Sequence, residues 1–553
     1  MTGTTDQVSA IRIPVAAALL WALLSASSGC SAWRQSLAGH CRCGQIIESP
    51  ADTLIWASRN EQADHERSVE LYLRAAKLSY HDLPASWSEY HQSVAGLLRT
   101  AQRFGRYEPG CGVCVNGSAG RQFVAMSFHG FAWRPADFSR LVVADPTVRT
   151  DLKQQHGRSG VGVPLIVIRE EKGEEKYHAK RTHFAATVNL KPVCDDQGSQ
   201  RWILELANPL EVRCTEVGGR SLPLASDQSA STRYLLEREK RTYLTDFLRP
   251  GVSTAEPQLI LTTPYQRSKI PLIFVHGLLS DPITWAELHE AVKADQELHD
   301  RYQVWAFQYP TGRAFLTSAA DLRRELTTLV ACVAPDGSDP ALGQMVLVGH
   351  SMGGLLGKLQ VTSSEDRLWR SIANRSLGHI HVSEDARRRL AEAFFFDPVP
   401  QVRRIIYIGT PHDGSGLANR WFGRLGSRLV RTPQNEEFER LLENNPGVFN
   451  PFVGTRIPTS VDLLEPDNPI LGAMAALPVA PGVQMHSIIG TGGCAVLREP
   501  SDGVVPVASA KTSGVSSELL IDARHESLHH DEQTIAEVVR ILRRHLVCLD
   551  TNL

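Results

Sequence analysis

Six short apolar runs, alternating with stretches of helical periodicity from Ile270 onward, restrict the fold of this chain more than any other feature. They sit in PLIFVHG, QVWAFQYP, MVLVGHS, RRIIYIGT, MHSIIGT and ELLIDA. A strand with one wet face alternates apolar and polar residues, whereas an unbroken apolar run needs cover on both faces. Such runs separated by helices predict an α/β fold, a mostly parallel sheet flanked by helices. Each run ends at a glycine, a histidine or a turn, so the following loops gather at the carboxyl edge, where open α/β sheets bind ligands.

At 553 residues the chain exceeds one ordinary core, and its length predicts about two to four domains. Residues 51 to 106 are rich in Ala, Leu, Glu and Arg, and HERSVELYLRAAKLSY spaces apolar residues three and four apart, predicting a helical pair at most. The runs LIVIRE, HFAATVNLKPV and WILELANPLEV predict a small β-rich domain from about 122 to 252, in which no chemistry is evident. Arg249–Lys269, with its Ser, Thr and Pro, reads as the passage into the last domain. The expected organisation is an export segment at 1–30, a helical region at 31–120, a β-rich domain at 121–260 and the α/β domain at 265–553. Insertions in the last domain fall at about 360–400 and 416–480.

The 58 Lys and Arg balance 60 Asp and Glu to a formal charge of -2 with no long run of one sign. That excludes the basic footprint that nucleic-acid binding needs. The long apolar stretch free of charge lies in IRIPVAAALLWALLSASSGCSAW: Arg12, an apolar run from Ile13 to Leu24, then small residues ending at Gly29-Cys30. This is the layout of an export signal, and a cysteine directly after the small residues makes it similar to a bacterial lipoprotein signal. The expectation is lipidation of Cys30, attachment to a membrane surface and a place at the cell envelope. Ordinary secretion, a membrane anchor and a buried N-terminal helix are the other readings. Among ten cysteines, Cys41, Cys43, Cys111 and Cys114 predict one or two disulfides, with a zinc site as the alternative.

MVLVGHSMGGLLGK, Met345 to Lys358, carries Gly-x-Ser-x-Gly between an apolar run and a helix start. Gly349 and Gly353 leave room for a tight strand-to-helix turn that exposes the Ser351 hydroxyl. A serine hydroxyl is a poor nucleophile until a base takes its proton, and that base needs a carboxylate to orient it. SDGVVPVASA offers Asp502 on a turn, and RHESLHHDEQTIAEVVRIL offers His525 just past the final run. Asp413 in GTPHDGSG competes for the acid, His529 and His530 compete for the base, and His412 reads as structural. An oxyanion needs preorganised N–H donors; the amides of Leu278, after His276-Gly277, and of Met352 fit that role.

PLIFVHGL, QYPTG, VLVGHSMGG, IYIGTPHDGS, DGVVP and HESLHHDEQTIAEVVRIL together resemble lipase-like α/β-hydrolases, in particular bacterial exported esterases or lipases related to the inositol deacylases of lipid anchors. The resemblance covers about residues 265 to 550. It implies the α/β-hydrolase fold, ester hydrolysis through an acyl-enzyme and no cofactor. It implies Ser351 as nucleophile, His525 as base, Asp502 as its orienter, and Leu278 with Met352 as the oxyanion hole.

The insertions fall where lids form in such folds. Trp421, Phe422, Leu425 and Leu429, with Arg420, Arg424 and Arg428 between them, predict an apolar helix face toward an acyl chain or the sheet. The expected partner is an ester or lipid substrate; chain length, head group and oligomeric state are not legible. An inactive hydrolase-fold scaffold, or an acyltransferase using the same three residues, are the alternative functions.

Overall fold

The computed structural model describes residues 49–551, except 84, 119, 149–151, 154, 174, 195–197, 238–255, 416–439, 454–459 and 494–498. Cys30, Cys41, Cys43 and the Trp421–Leu429 face therefore lie outside the described residues.

Three helices open the described chain, where sequence periodicity predicts at most two: α1 Pro50–Asn60, α2 His65–His81 and α3 Trp87–Arg103. The first is short, but Ser49 caps it by accepting from the Asp52 amide, with Pro50 at the first helical position. Ala57 buries it, and its carbonyl accepts from the buried Ser68 hydroxyl of α2 at 2.8 Å. The capping and the packing together supply what its weak periodicity does not show.

These helices pack on a seven-stranded sheet. Its strands are β1 Tyr107–Glu108, β2 Gly112–Gly117, β3 Gly120–His129, β4 Phe138–Val143, β5 Val163–Glu170, β6 Arg181–Cys194 and β7 Gln200–Ala207. They lie in the order β1-β2-β3-β7-β6-β5-β4, antiparallel except for the β3/β7 pair. The first two strands fall in the stretch read as helical, being too short and too glycine-rich to register in the sequence. One apolar core runs from Ala57 and Val69 through Leu97 to Leu165, Val188 and Leu206, so helices and sheet form a single packed unit.

Of the four cysteines read for one or two disulfides, Cys111 is exposed, Cys114 is buried, and both are free thiols, while Cys41 and Cys43 lie outside the described residues. Three residues along a nearly extended chain put side chains on opposite faces about 10 Å apart, beyond disulfide reach. The Cys114 sulfur instead accepts from Arg121 Nε at 2.9 Å.

A second seven-stranded sheet fills the C-terminal part: β8 Gln258–Leu261, β9 Ile270–Val275, β10 Tyr302–Gln308, β11 Met345–His350, β12 Val402–Ile408, β13 Gln484–Gly490 and β14 Ser517–Ile521. All six runs singled out in the sequence are strands, and they are parallel. The spatial order is β8-β10-β9-β11-β12-β13-β14, with β8 antiparallel on the β10 edge. This edge strand lies inside the stretch read as a passage between domains. Leu261 N donates to the Tyr177 carbonyl at 2.8 Å, so the N-terminal unit covers the edge that β8 leaves open.

Helix α4 Phe315–Val333 buries Leu322, Leu326 and Leu329 on one face of the sheet, and α5 Glu532–Asp550 buries Val538, Ile541 and Leu542 on the other. The described parts of the two insertions pair with each other, through the bridges Thr362 with Val479 and Ala373 with Phe449. Trp369 packs there on Phe394 and Phe449, joining the core that contains α4. Among the described residues, no helix is long and apolar enough to cross a membrane.

Candidate active site

β9 has β10 on one side and β11 on the other, so the chain reverses its direction of winding there. Crevices at such points, beyond the carboxyl ends of the strands, receive ligands. The end of β9 and the end of β11 meet here. Ser351 leaves β11 with φ 54° and ψ -125°, a left-handed conformation that costs a non-glycine residue about 1–3 kcal/mol. Its amide donates to the Ile408 carbonyl at 2.8 Å, which holds the turn against β12. A Cβ on Gly353 would sit 2.2 Å from the Val275 carbonyl oxygen, and one on Gly349 would sit 2.6 Å from the Gly353 backbone. Only glycines let this turn close so tightly.

Asp502 sits on a loop closed by the bridge between Ser501 and Pro506. One carboxylate oxygen, Oδ1, accepts from the amides of Val504 at 2.9 Å and Val505 at 2.6 Å. The other, Oδ2, accepts from His525 Nδ1 at 2.7 Å. His525 Nε2 then lies 2.9 Å from Ser351 Oγ. Because a carboxylate only accepts, Nδ1 carries the proton, and Nε2 is left to accept from the hydroxyl. The three side chains are buried, with Ser351 and His525 each 7% exposed and Asp502 2%. Such a line passes a proton from hydroxyl to imidazole while the carboxylate fixes the ring and balances its charge.

The competing residues stay outside this line. Asp413 is exposed on its turn, where its amide donates to Ser509 Oγ at 3.2 Å. His529 faces Thr284, with Nε2 2.5 Å from the hydroxyl, and burial pushes it down to about 3. His530 stacks edge-on against His529. His412 is buried with neither ring nitrogen hydrogen-bonded among the described residues, and burial, reinforced by the Lys358 charge, pushes it down to about 3.

Leu278 follows Gly277, whose Cβ position lies 3.0 Å from Ser351 Cβ, so its loop runs beside the serine. The loop is pinned by Tyr309, which donates to the His276 carbonyl at 2.6 Å and stacks on the His276 ring, and by Thr311, whose hydroxyl accepts from Leu279 N at 3.2 Å. Leu278 packs against the cluster of Val504 and Val505, tying it to the Asp502 loop. Met352 is the first residue of helix Met352–Lys358, where the amide has no partner within the helix.

The sequence reading passed over His350, directly before the serine. Its Nε2 lies 3.1 Å from the His525 carbonyl, and its ring packs between those of His525 and His529. Among the described residues no group of three His, Cys, Asp or Glu side chains is placed to hold a metal ion.

Residues 272–541 match the model of the alpha/beta hydrolase family, and this region belongs to that family. At the family level it is a hydrolase. Among solved structures, the mature lipase BlEst2 of Bacillus licheniformis is similar at 15% identity, over 51% of this chain and 97% of its own, with a TM-score of 0.32. A lipase-esterase related protein of Clostridium acetobutylicum is 14% identical over 52% of this chain and 99% of its own, TM-score 0.27. A thermophilic esterase of Thermogutta terrifontis is 14% identical over 53% and 91%, TM-score 0.28. No curated protein gives a significant sequence match.

Proposed function

We propose that the chain is a serine hydrolase that cleaves carboxylic esters through an acyl-enzyme. One observation carries this reading: the unbroken hydrogen-bonded line Ser351, His525, Asp502 at a strained strand-to-helix turn. Ser351 Oγ attacks the ester carbonyl carbon as His525 Nε2 takes its proton. The carbonyl oxygen becomes an oxyanion facing the Leu278 and Met352 amides. Collapse expels the alcohol, protonated by His525, and leaves the acyl group on Ser351. Water, deprotonated by His525, then releases the acid and restores the serine.

The substrate is an ester and, on our reading, a lipid ester at the cell envelope. The export layout before Cys30 and the resemblance to exported lipases support that location and a lipid anchor at Cys30. Hydrolysis of p-nitrophenyl esters of increasing acyl length by the purified protein, with Ser351→Ala beside it, tests the proposal. Turnover that rises with acyl length and vanishes in the variant supports it. Equal turnover in both proteins overturns the serine assignment.

A further inference from the structure

The polar groups of His525 divide into two sets. Nδ1, Nε2 and the backbone amide all point into the Ser351 and Asp502 line, the amide donating to the Asp502 carbonyl at 3.0 Å. Its carbonyl points the other way and meets His350 Nε2 at 3.1 Å. A carbonyl oxygen only accepts, so this contact requires His350 to carry its proton on Nε2 and donate it. His350 is 6% exposed, and burial, with the neighbouring His529 and His525 charges opposing a second proton, holds its pKa well below the ordinary imidazole range.

On the reading of the site given above, we infer that His350 is a positioning residue for this reaction: its Nε2–H holds the His525 backbone so that the imidazole stays within reach of the Ser351 hydroxyl. The geometry leaves little slack. His350 ends β11 and is fixed by pairing with Ile408, while its ring lies 4.8 Å from that of His525 and 4.5 Å from that of His529. The Nδ1 edge faces Gly277, where an added Cβ would come within 3.2 Å of it, so only a glycine there leaves the ring this place. His525 starts the short helix His525–Leu528, where its amide cannot be held by a helical partner. Its backbone is tethered from outside the helix at both polar groups: the amide donates to the Asp502 carbonyl, and the carbonyl faces His350 Nε2. Without His350 the carbonyl loses its side-chain donor, and the His525 turn is free to shift. A displacement near 1 Å between base and nucleophile lowers rates by roughly a hundredfold.

The test compares His350→Leu, which deletes the donor, with His350→Gln, whose amide nitrogen reaches about as far as Nε2. Both are assayed for kcat and KM on a short p-nitrophenyl ester, and for the rate of Ser351 labelling by a fluorophosphonate, with melting temperature recorded alongside. We expect His350→Leu to lose about ten- to a hundredfold in kcat and in labelling rate, with KM within about twofold, and His350→Gln to stay within about threefold of the parent. Folded His350→Leu with the parent's kcat overturns the inference, as does a His350→Gln protein equally impaired while folded. If His350→Leu does not fold, His350→Asn, whose amide is too short to reach, replaces it with the same expected loss. A parent protein that neither turns over esters nor takes the label overturns the serine-hydrolase reading itself, and the inference falls with it.

Discussion

Both sheets have seven strands, but the N-terminal one is antiparallel apart from the β3/β7 pair, and the C-terminal one is parallel apart from its β8 edge. Their buried polar groups differ accordingly. In the N-terminal unit the largest of these groups bind backbone carbonyls and amides, an aromatic face or a carboxylate. Tyr90 donates to the Leu190 carbonyl and accepts from the Leu190 amide, both at 2.8 Å, and the Arg169 guanidinium lies 4.0 Å over the Trp133 ring and pairs with Glu175. Among the described residues its histidines are all at least partly exposed, whereas His276, His350, His412, His486, His525, His529 and His545 are buried in the C-terminal part. A parallel sheet sends successive loops to one edge, so side chains distant in sequence are buried against one another. His276, His350, His412, His525 and His529 collect at that edge, whereas His486 and His545 lie at the amino ends of the strands, beside Arg404 and Tyr302.

The largest effect expected is on that edge. Ser351→Ala should cut ester turnover by about four to six powers of ten without loss of melting temperature, because alanine removes the attacking oxygen and nothing that holds the fold. Asp502→Asn should cost about a thousand- to ten-thousandfold, since an amide can present an N–H to His525 and favour the wrong tautomer. Asp413→Asn, on an exposed turn, should leave turnover within about twofold; the reverse ranking would move the acid to Asp413.

Next comes pH. Burial holds His276 and His545 down to about 4, and His412, His486 and His529 down to about 3. Folded, these rings stay neutral while the unfolded chain takes up protons below about 6.5, so stability is full above that value and falls as pH drops toward the folded values. In the N-terminal unit His91 is held to about 4 in the same way. Amide protection, with the intrinsic slowing of exchange in acid divided out, should therefore fall earlier between pH 7 and pH 5 around β9, β11, β12 and β13 than around β5, β6 and β7. Equal losses of protection in both sheets would remove the distinction.

The smallest effect tests the N-terminal unit. Tyr90→Phe leaves the Leu190 amide and carbonyl without their side-chain partner and should destabilise by about 1–3 kcal/mol. Ester turnover at a temperature where the variant is folded should be unchanged. A matching fall in kcat would show that the two regions act as one catalytic unit.

The six parallel strands were readable because strands covered on both faces carry unbroken apolar runs. β8 escaped because QLIL is four residues long and owes its place to pairing with β10 and cover from Tyr177. β1 and β2 escaped for a similar reason, being short and set by partners rather than by pattern. In the site, Ser351 and its glycines could be read because the tight turn demands those residue types. Choosing Asp502 over Asp413 and His525 over His529 depended on loop order; in the structure Asp502 and His525 lie in line with Ser351, while Asp413 and His529 lie off it. His350 was invisible because the contact that matters is to a backbone carbonyl 175 residues away, which leaves no pattern in a single sequence.

Intact mass measured on protein quenched in acid during turnover of a p-nitrophenyl ester tests the covalent route most directly. The account predicts a species heavier by the acyl group, mapped by peptide fragmentation to Ser351 and missing in Ser351→Ala. Steady turnover that survives in Ser351→Ala, with no acyl adduct at any residue, would contradict it.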